Sequence, residues 1–143
     1  MARKIFIDSS AFIALKNRSD QFHDQARFCF ETLLQQKTLM LTSDYVLDET
    51  ITAIRFRKNH REAVTFIKEL AQVPLLAVIP IYPVYFKQAI NLLMQYKDKE
   101  FSFTDCTSFA YMQGHEISTA FTFDHHFKQA GFTTMPLDHD SIK

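Results

Sequence analysis

Four acidic residues of this 143-residue chain lie at sequence positions where they could form a reactive site. Asp8 and Asp124 directly follow the runs KIFI and AFTF, whose apolar and β-branched residues are typical of short strands. Asp105 opens a helix-like segment, and Glu49 lies in the first turns of another. Because strand ends and helix starts meet at one edge of a parallel sheet, we expect the four acids to share a cleft.

Carboxylates gathered in a partly dry cleft repel one another, so they must either be protonated or share a cation. All-oxygen ligation suits a hard ion such as Mg²⁺ or Mn²⁺, which can activate water and neutralise charge on a phosphate. The predicted chemistry is therefore metal-dependent phosphodiester hydrolysis. Its catalytic residues and metal ligands would be Asp8, Glu49, Asp105 and Asp124.

Each acid also has a structural explanation. Asp124 could cap a turn, and Asp105 could close a capping box at a helix start. Glu49 could face solvent, in which case the neighbouring Asp48 could be the residue that points inward. Asp8 is the hardest to explain structurally, because a carboxylate next to a buried strand loses hydration unless a cation or hydrogen-bond donors meet it.

Strand-like and helix-like segments alternate along the chain. The strands are predicted at 4–8, 38–42, 75–81 and 117–123, with a short edge strand at 133–137. The helices are predicted at 11–16, 21–36, from 44 onward, 61–71, 85–96 and 102–113, with Gly114 as a C-cap. This alternation predicts a three-layer α/β/α sandwich with a mainly parallel central sheet.

Composition places the chain among globular proteins and leaves its partners open. The apolar share is 47%, and no linker or repeat interrupts the sequence, so we expect a single domain spanning 1–143. Sixteen basic residues balance sixteen acidic ones, so net charge neither supports nor excludes a nucleic-acid substrate. Cys29 and Cys106 have no CxxC spacing and are predicted to be buried thiols.

No segment has the pattern of a membrane span or a secretory signal. The most apolar stretch, 73–84, is short and interrupted by prolines. The first residues lead straight into a strand-like run and lack a cleavage site. We expect a cytoplasmic protein that does not contact the membrane.

The four acidic segments together resemble the motifs of PIN-domain nucleases, particularly toxin ribonucleases of the VapC type. The resemblance rests on IFIDSS at 5–10, SDYVLDET at 43–50, FSFTDC at 101–106 and FTFD at 121–124, and it covers nearly the whole chain. It implies a three-layer α/β/α fold and RNA cleavage with Mg²⁺ or Mn²⁺ held by the four acids. It also selects Glu49 over Asp48 and adds Ser10 as a small polar residue near the metal.

The resemblance further implies a homodimer that a cognate protein antitoxin holds inactive. Phe22, Phe28 and Phe30 could leave apolar surface for a partner helix, although core packing would account for most of them. The basic run 55–61 could hold RNA phosphates or could be a solvated turn. His125 and His126 could contact phosphate or ligate a metal, but they are interpreted as surface residues of a loop.

Other classes of protein fit the sequence less well. A haloacid-dehalogenase-like phosphatase would need a second acid at position 10, which is Ser10, and a receiver domain would need an adjacent acidic pair. A nucleotide-binding loop would need several glycines, and the chain has only Gly114 and Gly131. The remaining alternative is a catalytically silent PIN-fold module that binds RNA or protein, against which the intact set of acids argues.

Overall fold

The computed structural model describes residues 3–137. The strands are β1 (Lys4–Ile7), β2 (Leu39–Ser43), β3 (Leu76–Ile79), β4 (Thr119–Phe121) and β5 (Thr133–Met135). The helices are α1 (Ser9–Lys16), α2 (His23–Gln35), α3 (Asp44–Arg57), α4 (His60–Leu70), α5 (Pro83–Gln95), α6 (Phe103–Gly114) and α7 (His126–Gln129). None of the helices in this described part is long and apolar enough to cross a membrane.

The five strands form one sheet in the order β3-β2-β1-β4-β5, and every neighbouring pair is parallel. Helices α1 to α4 pack on one another, as do α5 to α7. Right-handed crossovers place these two groups on opposite faces of the sheet. The predicted three-layer α/β/α sandwich with a parallel sheet is therefore confirmed.

The order in which the chain adds strands to the sheet changes direction between β1 and β4. The chain moves from β1 through β2 to β3 at one edge, then returns to β4 and β5 at the other. In open α/β sheets such a reversal leaves a crevice at the carboxyl ends of the two central strands, where ligands bind. Asp8 follows β1 and Asp124 lies shortly after β4, so the crevice lies between two of the predicted site residues.

The core surrounds the central strands. Ile5, Phe6 and Ile7 of β1 are fully buried, as expected for a parallel strand covered on both faces. Phe109 of α6 and Phe127 of α7 are also buried, with ring centroids 5.0 Å apart. Both cysteines are buried free thiols, as predicted.

Gly114 has a different role from the predicted one. It is the last residue of α6, and the C-cap is His115, so Gly114 does not end the helix as a left-handed cap. A Cβ atom at Gly114 would lie 2.7 Å from Cε1 of Tyr85. The glycine is needed because the Tyr85 ring of α5 packs directly against the backbone of α6.

Candidate active site

Asp8 lies at the carboxyl end of β1 and is the N-cap of α1. Its side chain is 2% exposed, and its Oδ2 atom accepts hydrogen bonds from two hydroxyl groups. Ser10 Oγ donates at 2.8 Å and Thr122 Oγ1 at 2.9 Å, while the Ser10 backbone N–H donates a longer bond at 3.4 Å. The donors come from both central strand ends, so the fold fixes the orientation of this carboxylate.

The pKa of Asp8 is raised to about 6, mainly by burial and then by the negative charges of Asp105 and Asp124. The hydrogen bonds from Ser10 and Thr122 lower this pKa and offset only part of the effect. Since electrostatic repulsion between carboxylates falls with distance, this coupling means that three of the predicted acids lie close together. The structure thus brings Asp8, Asp105 and Asp124 to one crevice.

Asp105 is both a helix cap and a member of this cluster. Ser102 Oγ accepts from the Asp105 N–H at 2.9 Å, and Asp105 Oδ2 accepts from the Ser102 N–H at 3.1 Å, which completes a capping box. Burial raises the pKa of the Asp105 carboxyl and the Asp124 charge adds to this, while the bonds from Ser102 and His126 lower it. The structural explanation of Asp105 is correct, and it does not compete with a role in the site.

His126 joins Asp105 to Asp124. Its Nδ1 atom lies 2.9 Å from Asp105 Oδ2 and 3.1 Å from Asp124 Oδ1, and its backbone N–H donates to the same Asp124 oxygen at 2.9 Å. The imidazole also packs edge-on against Phe101, with ring centroids 5.4 Å apart. Ligand atoms of Asp105, Asp124 and His126 all lie within 4.8 Å of one another, a spacing that could hold a metal ion.

Sequence reasoning considered His125 and His126 as possible phosphate contacts or metal ligands but interpreted both as surface residues. The structure separates the two histidines, because the His125 side chain is 74% exposed and that of His126 is 17% exposed. His126 is the first residue of α7 and its side chain faces inward. The sequence did not predict this helix because four residues are too few to give a periodic apolar pattern. The available signal was position alone, two residues after a predicted site acid.

Glu49 approaches the site through Ser9. Glu49 is half-buried in α3, and its Oε1 atom accepts a hydrogen bond of 2.5 Å from Ser9 Oγ, next to Asp8 in the chain. The neighbouring Asp48 is exposed. Glu49 is not part of the three-residue group around His126, and its bond to Ser9 joins α3 to the start of α1, directly after Asp8.

Ser10 acts as a link between the two central strand ends. Besides donating to Asp8, its Oγ accepts from the Phe123 N–H at 2.9 Å and lies 3.1 Å from Thr122 Oγ1. Sequence reasoning named Ser10 but not Thr122, which alternates with apolar residues after β4 and gave no signal of its own. Together these hydroxyls orient Asp8.

All four carboxylates share one pattern of hydrogen bonding. Each has an oxygen that accepts from protein donors and a second oxygen with no hydrogen bond to another residue between positions 3 and 137. Every fully buried side-chain oxygen and nitrogen in that range has a hydrogen-bond partner. The unbonded oxygens of the buried acids are therefore not fully buried, and they reach solvent in the crevice. Each acid is therefore anchored at one oxygen and open at the other.

The basic run 55–61 is exposed along its whole length. It covers the end of α3 and the start of α4, and Arg57 lies eight residues beyond Glu49, about 12 Å along the helix axis. Of the three phenylalanines near α2, Phe28 is 74% exposed, whereas Phe22 and Phe30 pack partly against the core.

Comparison with known proteins identifies the family. The model of the PIN domain matches residues 5–133, which is most of the chain and includes all four acids. This chain belongs to the PIN-domain family. The resemblance seen in the acidic motifs is thereby confirmed.

Among the PIN-domain relatives is the 23S rRNA-specific endonuclease VapC20 of Mycobacterium tuberculosis. It is 35% identical over 131 residues, which cover 90% of this chain and 95% of the relative. The crystal structure of VapC20, described as a sarcin-ricin loop cleaving toxin, superposes with a TM-score of 0.80 at 34% identity, covering 90% of this chain and 96% of VapC20. The chain is therefore a homologue of a VapC-type toxin endonuclease.

Two more distant structures share the fold. FitAcB from Neisseria gonorrhoeae gives a TM-score of 0.66 at 17% identity, covering 91% of this chain and 95% of that one. VapBC2 from Rickettsia felis, bound to a DNA fragment from its promoter, gives 0.69 at 15% identity, covering 92% and 96%. At these identities the likeness supports the fold alone.

Proposed function

We propose that this chain is an endoribonuclease that hydrolyses RNA phosphodiester bonds with Mg²⁺ or Mn²⁺, and that it is the toxin of a toxin–antitoxin pair. The ion would be held by Asp8, Glu49, Asp105 and Asp124. The observation that carries the proposal is the convergence of Asp8, Asp105 and Asp124 on the crevice between β1 and β4, with Glu49 bonded to Ser9 beside Asp8 and each acid keeping one oxygen free of hydrogen bonds. Homology to a VapC-type toxin endonuclease supports the same reaction.

The donor set fits a hard divalent cation. Carboxylate oxygens with solvent access are the ligands that Mg²⁺ and Mn²⁺ prefer, and a single oxygen from each acid leaves room for water in the coordination shell. Burial and, after it, repulsion from Asp105 and Asp124 raise the pKa of Asp8, and a shared positive charge would offset both effects. When bound, such an ion would supply a polarised water and neutralise charge that develops on the phosphate.

The protein's own contribution is to hold the acids in fixed orientations. Ser10 and Thr122 hold Asp8, Ser102 and His126 hold Asp105, and Ser9 holds Glu49. Positioning of this kind lowers the barrier because the reacting groups need not be ordered during the reaction. Ser10 is accordingly a positioning residue, which acts through Asp8.

The substrate proposed is a loop of 23S ribosomal RNA, by homology with the rRNA-specific relative and its description as a sarcin-ricin loop cleaving toxin. The exposed basic run 55–61 would hold phosphates of such a loop away from the scissile bond.

Cleavage of a synthetic sarcin–ricin hairpin tests the function. We expect cuts with Mg²⁺ or Mn²⁺, none with EDTA, and none by Asp8→Asn or Glu49→Gln. The matched control is Asp48→Asn, which removes an exposed charge next to Glu49 and should cut at the parent rate. Cutting that survives chelation, or an active Asp8→Asn form, would contradict the metal mechanism. Tight RNA binding without any cutting would favour the silent binding module.

A groove on the α1, α2 and α4 side suits the proposed antitoxin. It has a volume of about 200 Å³, and its apolar lining includes Phe12, Leu15, Phe30, Phe66 and Leu70. A helix with one apolar face could bury that face here. The structures of VapBC2 and of FitAB bound to DNA support such a partner by fold.

The proposed homodimer would use α5. This helix and the residue before it expose a row of large apolar side chains, namely Tyr82, Val84, Phe86, Ile90, Leu93 and Met94. An exposed apolar patch of this kind marks a protein–protein contact. Sedimentation equilibrium should show a dimer for the parent chain and a monomer for Met94→Glu, while Phe28→Glu, an equally exposed site on α2, should remain dimeric.

A further inference from the structure

A second cleft opens beside the acids, on the side of β4 and β5. It has a volume of about 370 Å³, and Asp124 is one of its lining residues, so it is continuous with the crevice that holds the proposed metal site. Its other walls come from the start of α2 and from the end of β5. This volume is near the lower end of the range for small-ligand sites, about 300–1,000 Å³, and suits one nucleoside better than a duplex.

One wall of the cleft is aromatic. The rings of Phe22 and Phe123 both line it, and they stack with centroids 4.7 Å apart and planes at 10°. Both side chains are only half-buried. Proteins that recognise unpaired RNA bases stack them on aromatic rings of this kind, because every base has a flat π-face.

The cleft also offers groups that could read the edge of a base. The Gln25 side chain lines it and makes no hydrogen bond with another residue of the described range 3–137, so its amide can both donate and accept. Thr134 contributes a hydroxyl from β5. The exposed His125 lies at the rim next to Asp124, where the phosphate of the same nucleotide would pass.

We propose that this cleft binds one unpaired base of the RNA substrate, next to the scissile phosphate, with the base stacked on the Phe22–Phe123 pair and its edge read by Gln25. The inference rests on the proposed ribonuclease function and adds the part of the substrate that selects the cut. A site that admits a single splayed nucleotide would direct cutting to loops, because bases within a duplex remain paired and stacked.

Binding measurements with abasic RNA test the inference without requiring cleavage. A series of dye-labelled sarcin–ricin hairpins is prepared, each with one abasic nucleotide at a different position around the cut. Each hairpin is titrated with Asp8→Asn protein. We expect one position at which loss of the base weakens binding roughly tenfold. When Phe22→Leu or Gln25→Ala is introduced into the Asp8→Asn protein, binding of the intact hairpin should weaken. Loss of the base at that one position should then have little further effect on binding.

The controls are matched on the same helix. Phe28→Leu and Gln35→Ala change an exposed phenylalanine and an exposed glutamine of α2 that do not line the cleft, and they should keep the parent pattern. Gln25→Ala is a second test in case Phe22→Leu perturbs folding, because Gln25 is a half-buried polar residue of α2 and not an apolar residue packed against the core.

The outcomes separate the two proposals. If the Phe22 and Gln25 variants keep the parent's sensitivity to every abasic position, the base site is wrong, whether or not the protein cuts RNA. If position-specific binding holds but the metal-loaded parent protein never cuts, the proposed function alone is wrong. In a cutting protein, Gln25→Ala should raise KM more than it lowers kcat and should spread the cut over neighbouring nucleotides.

Discussion

The carboxylate of Asp8 accepts all its described hydrogen bonds at Oδ2, from Ser10 and Thr122, while Oδ1 faces the crevice. A buried acid of this kind is costly in the absence of a cation, because burial and neighbouring charges both oppose its ionisation. The fold therefore keeps Asp8 at some expense of stability. Such an expense is typical of groups retained for function.

This cost predicts a pH dependence of stability for the metal-free protein. The folded-state pKa of Asp8, about 6, exceeds its ordinary value of 3.8, so its contribution to stability is present below about pH 4 and is lost as pH rises through 6. Relative to Asp8→Asn, the parent should lose up to roughly 3 kcal/mol of unfolding free energy across this window. Denaturant titrations at pH 4 and pH 7 in EDTA measure the difference, and equal pH slopes for the two proteins would contradict it.

His126 should matter far more than its neighbour His125. Its ring fixes both Asp105 and Asp124, and loss of such a support costs about 10–100-fold in metal affinity or activity. We expect His126→Ala to raise the Mn²⁺ concentration needed for half-maximal cleavage by at least about tenfold, with His125→Ala close to the parent. Equal Mn²⁺ requirements in the two variants would show that His126 has no part in holding the acids.

Among the secondary-structure elements, the first residues of three helices position the side chains of the candidate site. Helices α1, α3 and α6 begin with side-chain caps from Asp8, Ser43 and Ser102. In a parallel sheet these starts all face the carboxyl ends of the strands, so capping residues and site residues share one edge. Asp8 and Asp105 therefore serve the helix and the cleft at once.

The capping box on α6 allows the two roles to be separated. Ser102→Ala removes the acceptor for the Asp105 N–H and should cost about 1 kcal/mol of unfolding free energy, with little loss of kcat because the Asp105 carboxylate keeps its backbone donor. Asp105→Asn should show the reverse, with a large loss of kcat and a smaller loss of stability. Chemical denaturation and initial cleavage rates measure both, and a parallel loss in both variants would contradict the separation.

Much of the element order could be predicted from sequence, because 4–8 is a compact apolar run that ends in an acid and the apolar residues of 21–36 recur at helical spacing. Boundaries moved by a few residues where caps or prolines intervene, as at β3, which ends at Ile79 directly before Pro80. Helix α7 and the role of Gly114 could not be predicted. The first is too short for a period, and the second depends on a tertiary contact with Tyr85.

The candidate site was predictable as a set of acids but not as a network. Strand ends and helix starts predicted that Asp8, Asp105 and Asp124 would meet, whereas the choice of Glu49 over Asp48 came from the family resemblance. The hydroxyl and imidazole partners, Ser9, Thr122 and His126, come from positions whose orientation depends on the assembled fold, and a sequence pattern does not specify it.

For the whole molecule, metal binding should appear as added stability. An ion that binds only the folded state stabilises it by mass action, by about 2.7 kcal/mol at one hundred times the Kd. We expect Mn²⁺ to raise the Tm of the parent chain by several degrees, Asp48→Asn to respond equally, and Asp124→Asn to respond much less. Differential scanning fluorimetry over a Mn²⁺ series measures this, and an unchanged parent Tm at saturating Mn²⁺ would count against a shared ion.

The position of β1 in the middle of the sheet also limits how the crevice can move. β1 is hydrogen-bonded to β2 on one side and β4 on the other, and the Asp8 N–H donates to Phe121 across the second seam. Amides of this strand should exchange with deuterated solvent only when the entire chain opens, whereas those around the one-turn α7 should exchange through local fraying. We therefore expect any local opening of the crevice to involve the Asp124 side, while the Asp8 side stays fixed by the central strand.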